Sequence, residues 1–391
     1  DTQLGVLGGL SFALLYCTCA VPVAVWADRG RRVTIVTGAL ALWSAFTALC
    51  GAAGNFVQLF LCRVGVGVGE AGAVAPSYSL IADYFPPHQR ARALSIFHLG
   101  LPVGSALGLL LGGYVAAYWG WRAAFLVAGA CGLMFAPVLW FTISEPVRGS
   151  FDSRRAASGG KAGFRDVIGH VSTRPSFWLI SFAGGTGGVM LYGYGFWLPA
   201  FFQRSHGLSL TETSQLVAGI VFVSGVAGNL LGGWLGDKLG ALRKGAYAYV
   251  PAVGALIALP LTSLGLFEQD LWIAVPLLLA PQACAMPATS PIGAALQHLG
   301  PSTMRATIVA LYMFIFNLTG LGIGTILLGS ISDMFTGMFG DEALRYALLC
   351  TGCILYPVSA LLYFLAGQRL QRRRRDHRPR RPRARPPSHP A

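Results

Sequence analysis

Residues 56–83 read FVQLFLCRVGVGVGEAGAVAPSYSLIAD, an apolar run whose interior holds two charges, Arg63 and Glu70. A helix needs about 20 mostly apolar residues to cross about 30 Å of hydrocarbon, so this run is predicted as one membrane span. Within it, Gly67-Val68-Gly69-Glu70-Ala71-Gly72 has GxGxxG spacing. No strand precedes the motif, so a phosphate-cradling loop is set aside, and the glycines are read as letting neighbouring helices approach. A charge at the centre of a span costs about 3 kcal/mol or more unless it faces protein or water. Arg63 and Glu70 are seven residues apart, which puts them on one face about 10.5 Å apart along the axis. That is too far for a direct ion pair, so each needs another partner. Ser77 continues the face. A site for a substrate anion or a proton is one reading, and a polar clamp between helices is the plainer one.

Working outward, the whole chain has the same character. Of its 391 residues 54% are hydrophobic and 11% are charged, against about 25% charged in a soluble domain. A soluble enzyme, a disordered chain and a secreted disulfide scaffold are excluded. Apolar runs cover 4–26, 33–53, 56–83, 93–118, 122–143, 177–202, 214–236, 247–267, 271–296, 306–332 and 345–367, eleven in all. They are too long for barrel strands, so an all-α integral membrane fold is predicted. The eight cysteines all fall in apolar stretches. Neither a disulfide nor a metal site is expected from them, Cys350-x-x-Cys353 included.

Charge orients the chain. Of 29 Lys and Arg, 25 fall in 27–32, 84–92, 144–176, 237–246, 297–305 and the tail 368–391, which alternate with the spans to lie on one side. Arg122, Arg204 and Arg345 lie opposite, and Arg63 lies within a span. By the positive-inside rule the 144–176 loop and the C-terminus are cytoplasmic. The excess of Arg over Lys suggests a GC-rich bacterial genome, hence an inner membrane. With 27–32 cytoplasmic, the first visible span starts outside, and no signal region precedes residue 1. The expectation is therefore that a first span is missing and that the complete protein has twelve. An internal repeat agrees: Asp28-Arg29 and Asp237-Lys238 each follow the second span of a six-span half. The expected domains are a helical half at 1–143, a cytoplasmic linker at 144–176, a second half at 177–367 and a disordered Arg-rich tail at 368–391. Two such halves joined by a long basic loop suit a parallel-repeat transporter.

These residues resemble the major facilitator superfamily. Its loop G-x-x-x-D-R/K-x-G-R-R/K is approximated twice, with Ala24 in place of the usual glycine in the first copy and departures at Ala241 and Leu242 in the second. Within the superfamily the chain is similar to the spinster-like group, through 1–5, 63–71, 81–86, 101–108 and 120–125. Organic-anion symporters share the R…GxGE pattern. The resemblance implies a proton-linked carrier working by alternating access, with no cofactor beyond the proton gradient. Animal spinster relatives move lysophospholipids and sphingosine phosphate, which implies a lipid-like, amphipathic or anionic solute. The resemblance also implies that Asp28, Arg29, Arg32, Asp83, Arg90 and Asp237 latch the two halves together in the outward-open state, where the alternative is a solvated basic loop. Gly104, Gly108, Gly112 and Gly113 resemble the antiporters' glycine pattern, with Leu109 where proline is usual. Close helix packing accounts for them equally well.

Other polar residues within spans complete the candidate set. Tyr194, with Tyr192, Trp197 and Pro199, ends a glycine-rich span suited to a bending gate, or forms an interfacial aromatic belt. Asn317 and Gln282 are candidates for the cavity lining, and His98 for a proton relay or simple packing. The Arg-rich tail is expected on anionic lipid, not on nucleic acid, and a monomer is expected. The chain holds no GxxxxGK[ST], HExxH or GxSxG. Not an enzyme is the expectation. The rivals are an organic-anion:proton symporter and a transport-inactive receptor or truncated product.

Overall fold

A computed structural model describes residues 1–27, 30–147, 164–242, 245–285, 292, 295–296, 299 and 304–376. Every regular element among them is helical. Helix α1 (2–27) contains a π-helical turn at Val6–Leu10. It is followed by α2 (Arg32–Ala52), α3 (Phe56–Glu70) and α4 (Val74–Tyr84). Asn55 caps α3 by accepting the Gln58 N–H at 2.9 Å. The run predicted as one span is therefore two helices, broken at 71–73. Pro76 explains the break: it has no N–H to offer the carbonyl of Gly72, and its ring clashes with that carbonyl in a continuous helix.

Pro87–Thr142 turns sharply at Gly120 (φ 82°, ψ 162°), a conformation open to glycine. This separates α5 (87–119) from α6 (121–142), where the sequence divides two apolar runs. Within the predicted linker lies α7 (Phe164–Ser172). Val167 and Val171, four residues apart, are buried while Arg165 and Ile168 face outward. Then come α8 (Pro175–His206), ended by Gly207 in the left-handed region, α9 (Leu210–Leu242), α10 (Ala246–Phe267) and α11 (Leu271–Ala285). Ser209 and Glu212 form a reciprocal capping box at the start of α9. Helix α12 (305–339) carries a second π-helical turn at Leu318–Ile323. The last helix, α13, is Ala343–Asp376. It corrects the expected tail: 368–376 is helical because Arg, Gln and Leu favour helix and the first proline comes at Pro379. Residues 377–391, with the rest of the tail, lie outside the described residues.

Seven helical stretches among the described residues are long and apolar enough to cross a membrane. Two of them span 47 and 65 residues, far more than one crossing needs, and contain the Gly120 break and the α12–α13 junction. Large apolar side chains point outward, Trp272 at 89% exposed and Phe141 at 84%, as a lipid-facing surface requires.

The first half packs α2 against α3 and α6, and α1 against α3. Phe12, Cys50 and Val66 are its centre. Gly67 and Gly69 do the close-approach work: a Cβ on Gly67 would lie 2.5 Å from the Phe12 carbonyl oxygen, and one on Gly69 2.7 Å from the Trp43 nitrogen. The second half packs α10 against α11 and α13, and α13 against α8 and α12. Phe177, Phe201 and Phe202 are fully buried there, each costing about 3–5 kcal/mol if cut to alanine. Helix α7 docks on this half through Val167 and Val171, and its His170 ring meets the Leu299 carbonyl at 3.0 Å. The halves meet along two seams, α1 with α12 and α5 with α9.

Candidate functional site

Glu70 is the last residue of α3, just before the break. A helix end presents free carbonyls, so a carboxylate there needs a hydrogen-donating or positive partner. Among the described residues it has no hydrogen bond and no ion pair within 4 Å. Arg63 does not supply one, in keeping with their spacing. Its guanidinium lies 5.6 Å from the centre of the Phe12 ring, and Phe12 stacks on Tyr16 at 5.2 Å. Glu70 lies within electrostatic reach of the Tyr16 hydroxyl of α1 and the Tyr192 hydroxyl of α8. Tyr192 donates to Asn317 Oδ1 of α12 at 3.3 Å. Alongside, the Tyr78 hydroxyl of α4 meets His98 Nε2 of α5 at 2.9 Å. The cluster thus draws on both halves around one carboxylate.

Of the residues singled out in the sequence, Arg63, Glu70 and Asn317 belong to this cluster, with Tyr192 and His98. Ser77 does not continue their face: the break rephases it, and its hydroxyl donates back to the Ala73 carbonyl at 2.6 Å. Tyr194 and Gln282 come together elsewhere, lining a small cavity inside the second half with Thr262 and Tyr356. Tyr194 is buried and donates to the Leu348 carbonyl at 2.5 Å. Tyr194 lies two residues from Tyr192, about 200° around the helix, so only one of them can face Glu70. Tyr16 and Tyr78 escaped the sequence reading, since nothing in an isolated tyrosine marks which face looks inward.

Of the residues expected to latch the halves, Arg32 and Asp83 can be seen, and they bond to each other. Arg32 is 1% exposed and lies wholly within the first half. It donates to Asp83 Oδ2, to Glu145 Oε1 at 2.8 Å, to Ser79 Oγ at 2.9 Å and to the Pro146 carbonyl at 3.1 Å. Glu145 also accepts the Val33 N–H at 2.9 Å. These bonds staple α2, α4 and the chain after α6. Asp28 and Arg29 lie outside the described residues, as do the side chains of Arg90 and Asp237. The glycine expectation also needs correction: a Cβ on Gly104, Gly108 or Gly112 would meet nothing within 4 Å, so these three do not pack. Gly113 does, against Ser214 of α9.

A clasp between the halves stands at the opposite end of the bundle. Arg204, near the end of α8, holds the Asp1 carboxylate with two bonds of 2.7 Å. Ser332 Oγ donates to the same carboxylate at 2.9 Å. Asp333 accepts from the Thr2 backbone N–H at 2.9 Å and the Thr2 hydroxyl at 2.7 Å. Deeper in the seam, the Thr325 hydroxyl donates to the Gly5 carbonyl at 2.8 Å, and Trp197 Nε1 donates to the Thr325 carbonyl at 2.9 Å. The sequence offered one hint, since Arg204 is among the few basic residues on its side. Its partner is 203 positions away.

Comparison with known proteins gives this geometry a context. The chain is 32% identical over 374 residues to an MFS-type efflux pump of Mycolicibacterium smegmatis, covering 95% of this chain and 85% of that one. It is 26% identical over 347 residues to the gallate transporter of Pseudomonas putida, covering 82% and 75%. A solved bacterial homologue of the human lysosomal transporter Spinster, inward-facing and unoccupied, superposes with a TM-score of 0.85 at 29% identity, covering 95% of this chain and 90% of that one. These relatives are membrane transporters rather than enzymes, and residues 1–325 match the superfamily as a whole. The chain belongs to the Major Facilitator Superfamily.

Proposed function

We propose that this chain is a proton-coupled secondary transporter that moves an amphipathic or anionic organic solute by alternating access. The observation that carries the reading is Glu70, a carboxylate at the end of α3 without an ion-pair partner among the described residues, which acts electrostatically on tyrosines of both halves. Glu70 would bind and release the proton. Arg63, seated on Phe12, would hold the anionic group of the solute, while Tyr16 and Phe12 offer apolar faces to the rest of it. The driving force would be the proton gradient, with no other cofactor.

The clasp at Asp1 and Arg204 supports a resting state closed at that end and open at the Arg32 end. Charge placement makes the Arg32 end cytoplasmic, which gives an inward-facing carrier with a cytoplasmic C-terminus, basic residues against anionic lipid and eleven spans in the stretch of chain seen here. The likeness to a spinster homologue favours a lysophospholipid-like solute. The gallate transporter's likeness favours a second reading, symport of a small organic acid with Arg63 as carboxylate anchor.

The test is flux into proteoliposomes under an imposed pH gradient, with labelled lysophospholipid and gallate as alternative probes. Gradient-driven flux of one probe, lost by about tenfold or more in Glu70→Gln and in Arg63→Ala, is the expected result for charges whose removal costs more than about 1.4 kcal/mol each. Equal flux with and without the gradient in the unmodified protein would overturn proton coupling.

A further inference from the structure

We infer that Arg345, at the Asp1 end of the second half, binds a small anion on the free edge of its guanidinium, with His206 as a further donor. The site does not depend on proton coupling, so either reading can fail alone.

Arg345 is the third residue of α13, where the helix end is positive and favours a negative neighbour. It is 8% exposed and lies among aromatic rings, with the centres of Phe201 and Phe267 each 5.8 Å from its Cζ. A guanidinium carries five N–H donors. Nη1 bonds Glu342 Oε2 at 2.8 Å, whereas Nε and Nη2 are buried without a hydrogen-bond partner among the described residues. Those two nitrogens form the edge that receives an anion with two parallel bonds. Glu342, itself half-buried, sits at the Nη1 corner, and its Oε2 also accepts from Ser205 Oγ at 3.5 Å.

Two sets of contacts bring His206 to the same place. Its ring lies 5.5 Å from that of Phe201, the ring beside Arg345. Its neighbour Ser205 shares Glu342 Oε2 with Arg345. His206 Nε2 is also buried without a partner among the described residues. A buried donor left unbonded carries its full desolvation cost, and such groups are rare in folded proteins. Here three nitrogens lie together, all able to donate once His206 takes its Nε2–H form. A water oxygen accepts two hydrogen bonds and brings no charge. An anion accepts all three and offsets the guanidinium.

The carboxylates at this end are engaged elsewhere. Glu342 is held by Nη1 and Ser205, Glu212 by Ser209, Asp1 by Arg204 and Ser332, and Asp333 by Thr2. Because both Arg345 nitrogens are covered, the anion is enclosed by the fold and is small, of the size of chloride or formate. Held there, it bridges the end of α8 to the start of α13.

The test replaces bulky gluconate by chloride or by formate at fixed ionic strength, which keeps screening at the Asp1 clasp constant. The readout is the melting temperature of the full chain in detergent, since a ligand bound only by the folded state raises melting as it saturates. The expected result is a saturable rise of about 2 °C or more with at least one of the two, and the anion that responds tells halide from carboxylate. Arg345→Lys keeps the charge but loses the two-nitrogen edge. It should raise the half-saturating concentration about tenfold, the scale of one lost hydrogen bond to a charged group. His206→Phe should raise it by a smaller factor. Glu342→Gln, which removes a competing negative charge, should lower it, and Arg345→Met should abolish the response. No response to either anion in the unmodified protein overturns the inference. So does a half-saturating concentration in Arg345→Lys equal to that of the unmodified protein, which would place the anion's effect elsewhere on the chain.

Discussion

The two ends of the bundle use the same chemistry for opposite purposes. At the Arg32 end a guanidinium and two carboxylates are buried and stay inside one half, at 1%, 7% and 19% side-chain exposure for Arg32, Asp83 and Glu145. At the Asp1 end the bonds join the halves, and although Asp1 itself is 11% exposed its charged partners are open, Arg204 at 37% and Asp333 at 46%. Magnitudes explain the division. Removing one partner from a buried, fully bonded pair costs about 3–5 kcal/mol, while an exposed pair contributes about 0–1 kcal/mol. In the alternating-access cycle proposed above, contacts that part on every turn have to be weak, whereas those that keep a half rigid have to be strong. The difference therefore separates a bond built to hold from one built to let go.

Arg32→Ala should have the largest effect, about 3–5 kcal/mol of destabilisation, read as a fall in melting temperature of the detergent-solubilised protein. A change within 1 kcal/mol would mean that the buried network is not a staple and that the two ends do not differ in kind. Breaking the other end should act on conformation rather than on stability. Arg204→Met should leave melting within about 1 kcal/mol yet lengthen the distance between spin labels at the Asp1 end of α1 and the Arg204 end of α8. The charge-exchanged pair Asp1→Arg, Arg204→Asp should restore the shorter distance. Raising ionic strength from 0.01 to 0.15 M shortens the Debye length from about 30 to about 8 Å, so salt should loosen the Asp1 end and spare the Arg32 end. An identical salt response at both ends would end the distinction. The smallest effect belongs to the second seam. Gly108→Ala, with nothing within 4 Å of the new methyl, should be neutral or stabilising by up to about 1 kcal/mol. Gly113→Ala should be worse, because its methyl would lie 1.9 Å from Ser214 Oγ.

The apolar runs and the distribution of arginine were enough to read the helical membrane class and nearly every helix position, because bilayer thickness sets run length directly. Glu70 and Arg63 were legible for the same reason: a charge inside an apolar run stands out. The break after Glu70 was written in Pro76 but hidden by uninterrupted hydropathy. What stayed hidden depends on pairing between distant positions. Arg32 with Glu145, Arg204 with Asp1, and the choice of Tyr192 over Tyr194 require knowing which faces meet, and hydropathy reports depth without azimuth. Helix α7 was missed because nine residues are too short to register as a span, although the four-residue spacing of Val167 and Val171 marks an amphipathic face.

The surplus residue in the π-helical turn of α12 has a geometric consequence. Asn317 and Thr325 are eight positions apart, which in an uninterrupted helix would set them about 80° out of phase. One extra residue takes back about 100° and brings the two nearly into line. That is why a single edge of α12 can meet α8 twice, Asn317 at Tyr192 and Thr325 at Trp197. The polar cluster and the closed seam are two teeth of one comb, and their alignment depends on the length of the chain between them more than on any side chain along it.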